Sequence, residues 1–286
     1  MTTCPVCASV DVRALTAPAA GPLVRCARCR LVFAQEAQAA PAPRAVMSDA
    51  ERRLEERVAA RRRPRFAALL RSAGRPGRLL DVGCGIGGLL EIAREEGWQA
   101  LGVDVDPAVV AYACQRGLDA RVGRLPELGL APRSFDLVTL WNVIDFVPEP
   151  LGVLGEIFRL LVPGGRVFVR TPNVPVQLQG LRLGRLLVTA GLLVHARPRS
   201  LGIVNASNFS ARSLRIALEL AGFREIGVRN SRPIPGDPYL GFARLGETAV
   251  GAGKRVLFGG VQALAWASRG RWLLAPSLEA LARRPA

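Results

Sequence analysis

The sequence predicts an α/β protein built on a doubly wound parallel sheet, with a small cysteine-paired module ahead of it. Three observations carry this. From Arg78 onward, short apolar runs alternate with helical stretches, the pattern of strands joined by crossover helices. The run Leu79 to Gly88, LLDVGCGIGG, reads as a buried strand, a tight turn and a helix start. Two CxxC pairs, Cys4/Cys7 and Cys26/Cys29, precede all of it.

The 286 residues are enough for one large domain and a small one, and 50% of them are apolar, so a sizeable core is expected. The formal net charge of +16 raises nucleic acid or an anionic membrane as partners. Only Lys254 among the 39 basic residues is a lysine, so the charge also fits an arginine-rich composition. Met1 to Cys7 lacks the basic start and apolar stretch of an export signal. The longest uncharged apolar run near the C-terminus, Val256 to Ser268, is shorter than the ~20 residues a bilayer needs. A cytoplasmic protein is expected, with peripheral contact at the inner face of a membrane left open.

Taken in order, Cys4, Cys7, Cys26 and Cys29 have the spacing of a zinc ribbon, in which two knuckles each present two thiolates and close a tetrahedral site. Four sulfurs leave no open position, so the metal is expected to be structural. Two disulfides are the alternative, but no export signal accompanies them. Binding zinc as four thiolates would lower the formal charge only to about +14. Ala37 to Ala45 is rich in alanine and proline and reads as a linker. Ser48 or Asp49 then caps a helix through ERRLEERVAARRR, which Pro64 is expected to end or kink before a second helix carries Phe66, Leu69 and Leu70.

In the glycine turn, positions 83, 85, 87 and 88 allow positive φ and close approach of a ligand to the backbone. The following helix points unpaired N–H groups at the same place. GCGIGG matches the dinucleotide fingerprint, which alone is a weak signal. Asp81 argues against a pyrophosphate there and for a cation, because a carboxylate at the strand tip attracts ammonium and sulfonium charge. A second strand, ALGVDV, delivers Asp104 at the spacing of a ribose-hydroxyl acceptor.

These residues, with LGVDVDP (101–107), SFDLVTLWNVIDFVPEP (134–150), LVPGGRVFVRTPN (161–173) and NFSARSLRIALELAGF (208–223), resemble a class I S-adenosylmethionine-dependent methyltransferase. The resemblance covers roughly half the chain and implies a seven-stranded, mostly parallel, Rossmann-like sheet. The last strand is expected to be antiparallel and placed at Leu278 to Ala282. It implies S-adenosylmethionine held by Asp81, Gly83, Cys84, Gly85, Gly87, Asp104, Val105, Arg124, Leu125, Trp141 and Asn142, with Asp145, Phe146 and Asn173 toward the acceptor. Two departures stand out. Arg124 falls where many relatives are acidic, and Phe146 falls where they commonly carry histidine. Cys84 and Cys114 read as small packing residues.

The expected organisation is a ribbon at 1–36, a linker with helices at 37–77, and a transferase domain at 78–286. Insertions are expected at about 175–207 and 231–275. The first insertion, with Arg182, Arg185, Arg197 and Arg199, suits a lid, a membrane contact or a packed helix. The second places Trp266 and Trp272 beside Arg255, Arg269 and Arg271, which suits an interface. The sole histidine, His195, is a candidate base. The leading expectation is methyl transfer to a small-molecule or lipid-linked acceptor. A ribosomal or transfer RNA acceptor and a non-catalytic cofactor-binding module are the alternatives.

Overall fold

The computed structural model describes residues 2–15, 23–35, 46–180, 205–232 and 258–286. The N-terminal strands β1 (Val12–Leu15), β2 (Leu23–Cys26) and β3 (Val32–Ala34) form an antiparallel ribbon, followed by the long helix α1 (Asp49–Ser72). The Ser48 hydroxyl oxygen accepts from Glu51 N–H and the Ser48 backbone N–H donates to the Glu51 carboxylate, a complete capping box for α1 worth about 1 kcal/mol.

The break expected at Pro64 is absent, and α1 runs through it as one helix. Proline removes the bond to the Ala60 carbonyl, but Ala60 and Pro64 are both exposed, so water can satisfy that oxygen. Burial of Phe66, Leu69 and Leu70 holds the second half in line.

Alternation then follows as the apolar pattern predicts: β4 (Arg78–Val82), α2 (Gly88–Glu95), β5 (Gln99–Asp104), α3 (Pro107–Gln115), β6 (Ala120–Val122), β7 (Phe135–Trp141), α4 (Pro150–Leu160) and β8 (Leu161–Pro172). A two-residue strand β9 (Ser207–Asn208), α5 (Ala211–Leu220), β10 (Arg224–Asn230) and β11 (Ser277–Arg283) complete it. The sheet order is β10-β11-β8-β7-β4-β5-β6, with β11 antiparallel to both neighbours and the β6-β5-β4-β7-β8 run parallel. Helical propensity around Leu278 loses here to strand pairing, because β11 is bonded on both edges, continuously to β8 and with one register shift to β10.

Side chains alternate between two packed faces. Leu79, Leu137, Trp141 and Phe168 point to the face covered by α1 and α2. Leu80, Val82, Val138 and Val169 point to the opposite face, where Leu154 of α4 and Leu214 of α5 meet them. Phe33, Leu31 and the cysteines of the ribbon share that second core. β9 also adds a fourth strand to the ribbon, pairing Val32 with Asn208 and Phe33 with Ser207. The ribbon is therefore hydrogen-bonded to the segment ahead of α5 and shares apolar burial with the seven-stranded sheet.

Candidate functional site

At the carboxyl end of β4 the backbone turns through Gly83 (φ +73°), Gly85 (φ +53°) and Gly87 (φ +81°), all in the left-handed region. Their surroundings differ. A Cβ on Gly83 would lie 2.2 Å from Val143 Cγ2, and one on Gly87 2.4 Å from Leu118 Cδ1, whereas nothing lies within 4 Å of that position at Gly85. Gly83 and Gly87 let the turn pack, and Gly85 presents bare backbone to open space. Cys84 is buried, and its sulfur fills the gap left by Gly102, where a Cβ would sit 2.7 Å from Sγ.

Two carboxylates flank this turn on adjacent strands. Asp104, partly exposed, accepts from Gly85 N–H at 2.9 Å and from Asp106 N–H at 3.0 Å, so it ties the turn to the tip of β5. Asp81 is buried and accepts from Thr139 Oγ1 at 2.6 Å, its register partner on β7. Burial pushes Asp81 up to about 7; the charge of Asp104 adds to this, while the Thr139 hydroxyl and Arg62 oppose it. A cation placed beside Asp81 would restore its ionised form. The only mark of Thr139 in the sequence is polarity inside the apolar run FDLVTLW, and the register of β4 against β7 supplies the partner.

The rim beyond Asp104 is apolar and open. Val105 is 59% exposed, Arg124 is exposed, and Leu125 is buried beneath it. Trp141 is packed inside, stacked on Phe168 and edge-on to Phe66, with the Arg170 guanidinium 5.4 Å from its ring. Asn142 adopts φ +58°, and its Oδ1 accepts from Arg170 Nη1 at 2.7 Å.

At the end of β7, Phe146 is 60% exposed, while its neighbour Asp145 is buried. One Asp145 oxygen accepts from Asn205 Nδ2, and Oδ1 has no partner. Burial pushes Asp145 up to about 6, against its own backbone N–H, Asn205 and Arg170. Asn205 is in turn fixed by its carbonyl, which accepts from Asn208 Nδ2 at 2.7 Å, and Asn208 belongs to the strand paired with the ribbon. No local pattern in the sequence marks this link, since it joins residues far apart in the chain. Asn173 is buried, and its Nδ2 donates to the carbonyls of Leu273 and Ala275, both at 2.9 Å. That amide holds the C-terminal segment against the end of β8. His195 lies outside the described residues, as do Arg182, Arg185, Arg197, Arg199 and Arg255.

Cys4, Cys7, Cys26 and Cys29 place their sulfurs within 4.8 Å of one another, the one such metal-ligating group among the described residues. Cys4 and Cys29 sulfurs are 3.5 Å apart, as are those of Cys7 and Cys26. Zn–S bonds of about 2.3 Å in a tetrahedron require edges of about 3.8 Å, so the set fits zinc with small adjustments. Each knuckle turns through a positive-φ residue, Ala8 (φ 54°) after Cys7 and Arg30 (φ 69°) after Cys29. Neither is glycine, so both turns carry left-handed backbone strain. Cys114 is exposed and stands apart.

A family model described as "Methyltransferase domain" matches residues 50–226. The ubiquinone biosynthesis O-methyltransferase of Methylococcus capsulatus is 32% identical over 179 residues, 59% of this chain and 72% of that protein. That of Pseudomonas fluorescens is 35% identical over 103 residues, 34% of this chain and 44% of that protein. The chain thus spans less than half the length of several such relatives. A crystal structure of a SAM-dependent methyltransferase from Archaeoglobus fulgidus superposes with a TM-score of 0.51 at 19% identity, over 80% of this chain and 94% of the other, a likeness of fold.

Proposed function

The chain belongs to the methyltransferase-domain family, and from that premise we propose that it transfers the methyl group of S-adenosylmethionine to a small-molecule acceptor. The observation that carries the reading is the pair of carboxylates on adjacent strand tips, Asp81 and Asp104, either side of a turn left open at Gly85. Asp81 would face the cationic aminoacyl and sulfonium end, and Asp104 would accept from the ribose hydroxyls with the lone pairs its two backbone bonds leave free. Val105 would cover one face of the adenine, with the backbone around Arg124 and Leu125 at its edge. The backbone of Gly83 and Cys84 shapes this cradle, while Trp141 supports it from below.

When bound, the cofactor supplies a methyl group on an already activated sulfur. What remains for the protein is alignment of the acceptor, worth up to about 7–11 kcal/mol in favourable cases. Asp145 and Phe146 are our candidates for it: the exposed ring of Phe146 would offer an apolar wall, and the unpartnered oxygen of Asp145 would receive a hydrogen bond from an acceptor hydroxyl once the site adjusts. The name shared by the relatives in Methylococcus and Pseudomonas supports a small-molecule acceptor, and an oxygen atom among the options. Zinc on Cys4, Cys7, Cys26 and Cys29 would be structural, since all four positions are taken by sulfur.

Titration calorimetry with S-adenosylmethionine tests the cofactor. Binding is expected, weakened about tenfold or more by Asp104→Asn through loss of charge-assisted bonds. Preference for a nicotinamide dinucleotide would overturn the reading. Labelled methyl donor offered to lysate fractions then identifies the acceptor. Label in RNA would replace the small-molecule acceptor, and binding without any transfer would make the protein a cofactor-binding module.

A further inference from the structure

The C-terminal segment before β11 displays an unusual surface. Residues 258–267 form a helix, and its end and the turn beyond expose Leu264 (43%), Trp266 (85%), Trp272 (59%) and Leu274 (42%). Trp98 and Trp141 are buried, so both exposed indoles of the protein lie in this one stretch. Arg269 and Arg271 sit between them and are exposed. Between Glu247 and Glu279 the sequence contains no acidic residue.

The segment is held in place. Gly270 N–H donates to Ala265 O at 2.7 Å and Trp272 N–H to Ser268 Oγ at 3.0 Å, which closes the turn. Behind it, Asn173 grips the carbonyls of Leu273 and Ala275, and Asn230 Oδ1 accepts from Ala275 N–H at 3.0 Å. Two indoles and two leucines are thus exposed on a pinned scaffold, with two exposed arginines between the indoles in sequence. Apolar side chains in that density are costly in water. Indole suits the boundary between hydrocarbon and headgroups, and arginine suits an anionic surface beside it. No helix among the described residues is long and apolar enough to cross a membrane.

We propose that residues 264–274 dock the protein peripherally on an anionic phospholipid bilayer. Asn173 follows the carboxyl end of β8, which is parallel to β7 and β4, so the patch hangs from the end of the sheet that carries Gly85 and Asp145. A protein docked this way presents its crevice near the lipid surface, where an apolar acceptor would partition. That last consequence rests on the proposed methyltransferase reading, whereas the docking does not.

The test uses the full chain with vesicles of phosphatidylcholine alone or with roughly one third phosphatidylglycerol. Co-sedimentation with the anionic vesicles, reversal by salt, and quenching of tryptophan emission by brominated lipid are expected, because only Trp266 and Trp272 are accessible. The Trp266→Ala/Trp272→Ala variant should lose about tenfold or more in vesicle affinity while keeping its melting temperature and S-adenosylmethionine binding. Equal binding by this variant, no binding by the parent chain, or a tryptophan-dependent dimer in sedimentation velocity without vesicle binding would each overturn the proposal. Vesicle binding by a chain that ignores S-adenosylmethionine would leave the docking standing and remove the transferase reading.

Discussion

The glycine turn and the shelf around Asp145 occupy the same end of the sheet and are built in opposite ways. The turn is local: residues 81 to 88 supply the strand tip, the positive-φ backbone and the helix start, and the tip of one neighbouring strand pins it through the Val103 carbonyl and the Asp104 carboxylate. The Asp145 shelf is assembled from pieces far apart in the chain. Asp145 leans on Asn205, Asn205 on Asn208, and Asn208 lies in a strand held by the ribbon. One region therefore depends on backbone chemistry at a few positions, the other on whether a separate module is folded.

The sharpest break in that contrast comes from two alanines. Gly83→Ala drives a Cβ into Val143 and strains φ +73°, and overpacking plus left-handed strain should cost about 2–5 kcal/mol, a large part of typical domain stability. Gly85→Ala has open space and should cost only the strain, about 1–2 kcal/mol, yet lose cofactor affinity because the new methyl enters the cradle. Denaturant titration and calorimetry on the same two proteins separate the effects. Similar stability losses with equal cofactor binding would show that Gly85 does not face the ligand.

Removing the proposed zinc should act on the other region. A strong chelator, or Cys26→Ser, is expected to unfold the knuckles and free β9, raising hydrogen exchange at 205–208 and in the Asp145 turn while exchange in residues 83–88 barely changes. Uniform loosening of both would erase the distinction.

The last contrast is read in pH. Asp81 has a folded value of about 7 against 3.8 ordinarily, so the folded protein binds this proton more tightly than the unfolded chain does. The stabilisation from Asp81 is full below about 4 and is lost as pH rises toward 7. Asp81→Asn should flatten that slope in thermal melts. S-adenosylmethionine affinity should rise over the same window, since its positive charge favours the carboxylate. Affinity independent of pH would remove Asp81 from the cation's surroundings.

Much of the fold is visible in the chain because its signals are short-range. Alternating apolar runs mark β4 to β8, Ser48 and Ser210 mark helix starts, and the CxxC spacings mark the ribbon. Pro64 misleads, since whether a lost backbone bond breaks a helix depends on which side faces water. Trp141 is legible as a residue at the crevice end of β7, but its packing between Phe66 and Phe168 is not, because those rings arrive from α1 and β8. Thr139 is half-visible: its polarity shows in sequence, its partner only through the β4–β7 register.

By itself, the sequence determined the sheet class, the glycine turn with its two carboxylates and the four-sulfur set, each of which follows from backbone conformation or ligand chemistry at close spacing. Tertiary structure alone decided that the ribbon donates an edge to residues 207–208 and through them steadies Asp145, that the Asn173 amide clasps the C-terminal segment, and that Trp266 and Trp272 stay outside the core. Strand pairing and burial between distant residues are settled by the total free energy of packing, and no window along the chain contains that sum.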